Sequence, residues 1–258
     1  MHGHHRRAGF TRTHDGQDAA SGYPAHRPPP SQVIISAQRN RYRPARTCRR
    51  HGVNVTDVTS LRELSESAAT CTRCDLYKRA TQTIFGEGKR GAALMLVGEQ
   101  PGDHEDKQGH PFVGPAGKVL DRALDDSGIN RADLYLTNAV KHFRWTGRGK
   151  RRIHERPNGT EIKACRFWLD AELEVIRPRL VVLLGAVAGE AVFGSTYRVG
   201  EHKGKLTEAE IGDWRGLVLG TIHPSAVLRG PDSQAREDSY AGLVADLATA
   251  RDAAGLCR

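Results

Sequence analysis

The chain has 258 residues, of which 38% are hydrophobic, and a formal charge of +9. That apolar content suffices for one packed core, while the longest apolar run, LVVLLGAVAG at 180–189, is about half of what spans a bilayer. The N-terminus also lacks the continuous apolar stretch of a secretory signal, so a cytoplasmic protein with no membrane contact is expected.

The positive charge is unevenly placed. Residues 1–55 hold ten Arg, no Lys and two acids, so eight of the nine surplus positive charges sit there. That stretch is rich in Arg, His, Pro and Gly without apolar periodicity, and reads as a disordered basic tail ahead of a folded domain over 56–258. Within the domain, KHFRWTGRGKRRIHER at 141–156 has seven basic residues against the single acid Glu155. Such a concentration is the footprint of nucleic-acid binding.

In chain order, apolar runs at 92–99, 134–140, 180–185 and 216–223 predict four strands. Between them come helices over 116–128 closed by Gly128, over 160–176 opened by Thr160, and a short one after Gly185. A last helix covers 237–254. Strands alternating with helices imply an α/β three-layer sandwich around a central, mainly parallel four-stranded sheet. Ligands of such sheets bind outside the carboxyl ends of the strands. The unusual residues all fall there: Glu99 in GEQPG, Asn138 and His142 in NAVKHFRW, His154 in KRRIH, and His223 in HPSAVLRG.

Five cysteines, an odd number, in a chain without a secretory signal argue for metal or cluster ligation rather than a disulfide framework. Cys71 and Cys74 in CTRC have the spacing of two ligands to one metal or cluster, with Cys165 the third candidate and His142 the fourth. Three thiolates and an imidazole suit either structural zinc or an iron-sulfur cluster, and spacing does not choose. Cys48 and Cys257 fall in the expected disordered termini. A carboxylate such as Glu99 beside a Gly-rich turn would repel a phosphate, so it points to acid-base or cation-stabilising chemistry.

Taken together, GEQPG, GHPFVGPAG, TNAV and HPSAVLRG resemble the motifs of the uracil-DNA glycosylase superfamily, in the branch that carries a four-iron four-sulfur (4Fe-4S) cluster. The order and spacing match over residues 71 to about 250, nearly the whole folded region. Two departures, Gln100 where that branch usually has Ala and His142 where it usually has Cys, together with the KRRIH insertion, resemble the X-type subgroup (UdgX), which becomes covalently attached to DNA. The resemblance implies a uracil-DNA glycosylase-like fold and a monomer acting on uracil-containing DNA, single-stranded by preference.

The same resemblance implies a role for each motif residue. Phe112 stacks on the uracil ring, Asn138 reads its edge, and Gly98 and Ser225 line the pocket. His223 donates to the leaving uracil oxygen, with the backbone around Gln100 assisting. Cys71, Cys74, His142 and Cys165 hold the cluster. Lys150, Arg151, Arg152 and Arg229 contact DNA. His154 replaces water as the nucleophile at C1′, and Glu99 accepts or shields its proton. Phosphate contacts need only permanent cations, whereas neutral imidazole is a nucleophile, so a lone histidine ending a basic loop fits that role. The alternatives are an ordinary multi-turnover iron-sulfur uracil-DNA glycosylase, with His154 a DNA contact, and a noncatalytic cluster-stabilised DNA-binding module.

Overall fold

The computed structural model describes residues 60–256. The expected disordered tail, Cys48 and Cys257 lie outside that range. Four strands pair in parallel: β2 (Leu94–Gly98), β3 (Tyr135–Asn138), β6 (Leu180–Leu184) and β8 (Trp214–Thr221). They are the four read from the sequence, within a few residues at each end. The sheet, however, has six strands rather than four. β1 (Glu87–Gly88) pairs antiparallel with β3, and β7 (Leu206–Ile211) pairs antiparallel with β8, giving the order β1-β3-β2-β6-β8-β7.

Alternation along the buried strands sends side chains to two cores. Met95 and Val97 of β2, with Val181 and Leu183 of β6, face α1 (Leu61–Ala68), α4 (Gly159–Ile176) and α5 (Ala186–Phe193). Leu94, Leu96, Val182 and Leu184 face α3 (Pro115–Asp126) and α8 (Ser233–Ala254). Both faces of a parallel sheet are thus covered, which is why its strands are continuously apolar. Among the described residues no helix is long and apolar enough to cross a membrane.

Two helix starts differ from the sequence reading. α4 is opened by Asn158, not Thr160: the Asn158 side chain accepts from Glu161 N at 2.9 Å and Glu161 returns a bond to Asn158 N at 2.8 Å, a reciprocal cap worth about 1 kcal/mol. α8 begins at Ser233, a turn before the expected start, with Asp232 as its cap.

The basic KRRIH segment is not a loop. It forms the second strand of a hairpin, β4 (Trp145–Arg148) paired with β5 (Arg151–His154), in register Trp145↔His154. Gly149 supplies the positive φ of 59° at the two-residue turn. Three short helices complete the fold: α2 (Asp103–Gln108), α6 (Val199–His202) and α7 (Pro224–Leu228).

Beneath the sheet's carboxyl edge lies a fully buried ion pair, Lys141 Nζ to Glu172 Oε2 at 2.6 Å. Lys141 Nζ also donates to Thr137 Oγ1 and to the carbonyl of Asn138, at 2.6 and 2.8 Å. Glu172 accepts from Gly86 N, Tyr135 Oη and Thr137 Oγ1. Every partner is satisfied, the condition under which such a pair is tolerated in a core.

Candidate active site

The strand order reverses about β2, whose neighbours are β3 and β6, and the carboxyl ends meet there in a crevice. Glu99 and Gln100 follow β2, Asn138 ends β3, and His223 follows β8 as the cap residue of α7. The turn after β2 is fixed by a buried carboxylate: Glu105 accepts from Gly102 N at 3.0 Å and Gly114 N at 2.8 Å, joining GEQPG to the GPAG that starts α3. Glu105 supplies only the carboxylate half of a capping box, since Gly102 has no side chain to return the bond.

Phe112 is buried and holds a positive φ of 57°, uncommon for a non-glycine residue. Its backbone lies against Gly117, where a Cβ would fall 2.0 Å from the Phe112 carbonyl oxygen. Gly98 has a similar function. A Cβ there would meet Asn138 Oδ1 at 2.3 Å and Phe112 Cζ at 2.6 Å. The absence of a side chain at 98 lets the Asn138 amide and the Phe112 ring converge.

The His223 ring lies 6.5 Å from Phe112, at 27° to it. His223 Nδ1 accepts from Ser225 N at 3.2 Å and pairs with Ser225 Oγ at 2.8 Å. A backbone N–H only donates, so the ring proton sits on Nε2, turning that atom into a donor. Burial, reinforced by the Arg229 charge and by His154 whenever that ring is protonated, pulls the His223 pKa down to about 4. The ring is neutral at physiological pH. Ser225 therefore orients His223, a task the sequence reading did not give it.

Gln100 is buried and clamps the hairpin. Its Oε1 accepts from Arg144 N at 3.0 Å, which fixes the amide orientation, and its Nε2 faces Glu155 O and His154 Nε2, both at 2.9 Å, and Arg144 O at 3.2 Å. An amide nitrogen only donates, so His154 Nε2 is the unprotonated, lone-pair nitrogen. Two N–H groups serve three acceptors, so the His154 bond is exchangeable without orphaning Gln100. Glu99 Oε1 lies 3.6 Å from His154 Nε2 and is buried without a hydrogen-bond partner. A nucleophilic lone pair, held here by a Gln100 N–H, and a carboxylate oxygen able to stabilise a positive charge thus stand side by side at the crevice. Burial raises the Glu99 pKa, opposed by Arg156 and Arg229. Burial first, then Arg229, lowers that of His154.

The basic residues divide. Lys150, Arg151 and Arg229 are exposed, as phosphate contacts require. Arg152 instead turns inward, its Nε 2.5 Å from Asp103 and its Nη1 2.6 Å from the fully buried Asp106. Asp106 also accepts from Thr81 N and Oγ1. Arg152 thereby anchors the hairpin to α2.

Of the expected cluster ligands, Cys71 and Cys165 lie in the first core and Cys74 packs against it. Cys71 Sγ accepts from Trp168 Nε1 at 3.2 Å and Cys165 Sγ from Lys141 N at 3.1 Å. Burial pushes the Cys165 thiol up to about 12, with Cys71 and Cys74 close enough to add to it. His142 pairs through Nε2 with Thr83 Oγ1, while its buried Nδ1 has no partner. An orphaned imidazole nitrogen and N–H groups aimed at sulfur fit a thiolate-ligated group. Among the described residues, no three His, Cys, Asp or Glu side chains are arranged to hold a metal ion.

The sequence pattern of the Uracil DNA glycosylase superfamily is matched over residues 85–248. The type-4 uracil-DNA glycosylase of Pyrobaculum aerophilum is 35% identical over 66% of this chain and 86% of its own length. That of Thermotoga maritima is 37% identical over 67% and 85%. A type-5 uracil-DNA glycosylase of Pyrobaculum aerophilum is 31% identical over 54% and 63%.

Proposed function

The chain belongs to the uracil-DNA glycosylase superfamily, and from that premise we propose that it excises uracil from DNA and remains joined to C1′ of the abasic sugar through His154. The observation that carries the covalent step is the lone-pair nitrogen of His154 set 3.6 Å from the unpartnered Glu99 oxygen.

Uracil in a flipped or single-stranded nucleotide enters the crevice, where Phe112 offers a ring face and Asn138 an amide. The C1′–N1 bond breaks with its electron pair leaving on uracil, and the Nε2–H of His223 stabilises that anion. A neutral donor is used because its burial and the nearby Arg229 disfavour imidazolium. Glu99 stabilises the oxocarbenium-like sugar. His154 Nε2 then forms the bond to C1′, and Gln100 shifts its N–H to the backbone carbonyls. The alkylated ring becomes neutral by releasing its Nδ1 proton to solvent, the side chain being half-exposed, and uracil takes up a proton from solvent. Glu99 faces Nε2, which carries no proton, so the geometry favours stabilisation of the sugar cation over the expected acceptance or shielding of the His154 proton. An alkylated imidazole is a poor leaving group, which ends the reaction after one turnover.

Cys71, Cys74, His142 and Cys165 would hold the 4Fe-4S cluster. When bound, it would tie the segment at 71–74 to α4 and to the end of β3, a structural role. Lys150, Arg151 and Arg229 would contact the phosphates of uracil-containing DNA.

Two tests follow from the geometry. Gly98→Ala forces Asn138 and Phe112 apart, and a displacement of about 1 Å is expected to slow uracil release by about 10²-fold; single-turnover release measured at near-wild-type speed would remove both residues from the pocket. The nucleophile is neutral imidazole, so adduct formation rises with pH as His154 loses its proton. Its midpoint is expected below the ordinary histidine value of 6.5, since burial and Arg229 both lower it. In Arg229→Ala the midpoint moves up but stays below that value, because burial is the larger cause. A pH-rate profile of adduct formation for both proteins checks each statement.

A further inference from the structure

The geometry points to Trp145 as a positioning residue that sets the His154 nucleophile against the sugar by fixing its hairpin to the cysteine-bearing segment that begins at Cys71. The inference rests on the covalent reading above. Trp145 is the direct cross-strand partner of His154. Such pairs project from the same face with Cβ atoms about 5 Å apart. The indole Nε1 donates to the carbonyl of Arg79 at 3.1 Å, and the Arg79 guanidinium lies 4.6 Å from the ring centroid. Arg152, on the same hairpin face, lies 5.5 Å from that ring and 5.4 Å from Phe143, whose own ring is 6.0 Å from His154. Arg152 Nη1 reaches Thr81 Oγ1 at 3.2 Å.

The residues Arg79 to Thr81 therefore meet the hairpin twice, through Trp145 and through Arg152. They follow Cys74 by way of one short turn of 3₁₀ helix, Asp75–Lys78. Gln100 grips the hairpin only at its base, through Arg144, His154 and Glu155. Arg152, paired with Asp103 and Asp106, holds the ribbon nearer its tip, and the Trp145–Arg79 contact is the one made at the register of His154 itself, so it bears most directly on the approach of Nε2 to C1′. His223, Phe112 and Asn138 stand on other elements, so leaving-group chemistry does not pass through Trp145. Nucleophile capture is separable from uracil release, and Trp145 acts on the first.

The test is the partition of product between protein adduct and free abasic DNA, measured beside the rate of uracil release in single turnovers. Trp145→Ala is expected to lower the adduct-to-abasic ratio by about tenfold or more, with uracil release within about twofold of wild type and the visible absorption of the purified protein unchanged. Trp145→Phe keeps the ring but loses the N–H donor and is expected to fall between the two. Arg79→Ala keeps the carbonyl acceptor and is expected to do the same. A ratio unchanged in Trp145→Ala, or adduct and uracil release falling together in Trp145→Phe, overturns the assignment. Wild-type protein that frees uracil but retains no DNA overturns the covalent reading, and this inference with it. Should Trp145→Ala not fold, Trp145→Phe and Arg79→Ala decide on the same ratio.

Discussion

Incubated with a uracil-containing single-stranded oligonucleotide and then fully denatured, the wild-type protein is expected to migrate as a slow covalent species, and His154→Ala is expected to give none. Loss of the attacking atom removes a bond-forming step outright, so the fall is expected to reach at least about 10³-fold. Uracil still leaves in the variant, because His223 and Glu99, which stabilise the anion and the cation, keep their places, and water captures C1′. The same gel and a uracil assay separate the rivals. Uracil freed by both proteins with DNA retained by neither makes this an ordinary multi-turnover glycosylase, with His154 a DNA contact. Uracil freed by neither, even after long incubation, makes it a DNA-binding module. A slow band from His154→Ala would place the nucleophile elsewhere.

Much of this site was legible in the sequence because its parts stand at strand ends, and the strands announce themselves. A parallel strand buried on both faces reads as an unbroken apolar run, as Leu180–Leu184 does. The residue after such a run lies at the carboxyl edge by topology alone. Glu99, Asn138 and His223 were placed in this way. The edge strands were missed for the complementary reason. β1 has two residues, both exposed, and β7 is LTEAEI, buried only at alternate positions toward its end; neither buries enough to carry a pattern.

The hairpin was misread as a loop because nothing apolar holds it. Its fixtures are Gln100 at one end and Arg152, set between Asp103 and Asp106, at the other. Those carboxylates come more than forty residues earlier in the chain, and a run of Lys and Arg looks the same in sequence whether it faces phosphate or a buried acid. Trp145 was invisible for the same reason, since its partner is the main-chain carbonyl of Arg79. The cap at Asn158 does carry a local signal, the N-x-x-E pattern that ends at Glu161, but it stands before the apolar periodicity that points to Thr160.

The other large effect is on stability. Lys141 and Glu172 are both fully buried, and their charges offset one another inside the core. Lys141→Met fills the same volume but leaves the Glu172 carboxylate with neutral donors alone, at an expected cost of about 3–5 kcal/mol, a large fraction of the roughly 5–15 kcal/mol that holds an ordinary domain folded. It also removes the donor to the Asn138 carbonyl, so whatever protein survives should release uracil more slowly. Lys141→Met combined with Glu172→Leu deletes both charges at once and is expected to recover most of the loss. Its cost is confined to the bonds that Gly86, Tyr135, Thr137 and the Asn138 carbonyl then lack. Urea unfolding of wild type, Lys141→Met, Glu172→Leu and the double variant supplies the coupling energy directly. Single and double variants equally unstable would mean that the hydrogen bonds of Glu172, and not the charge pair, hold this end of the sheet. A double variant more stable than Lys141→Met but slow in uracil release would separate the two functions of Lys141: its charge supports the core, and its bond to the Asn138 carbonyl sets the group that faces the base.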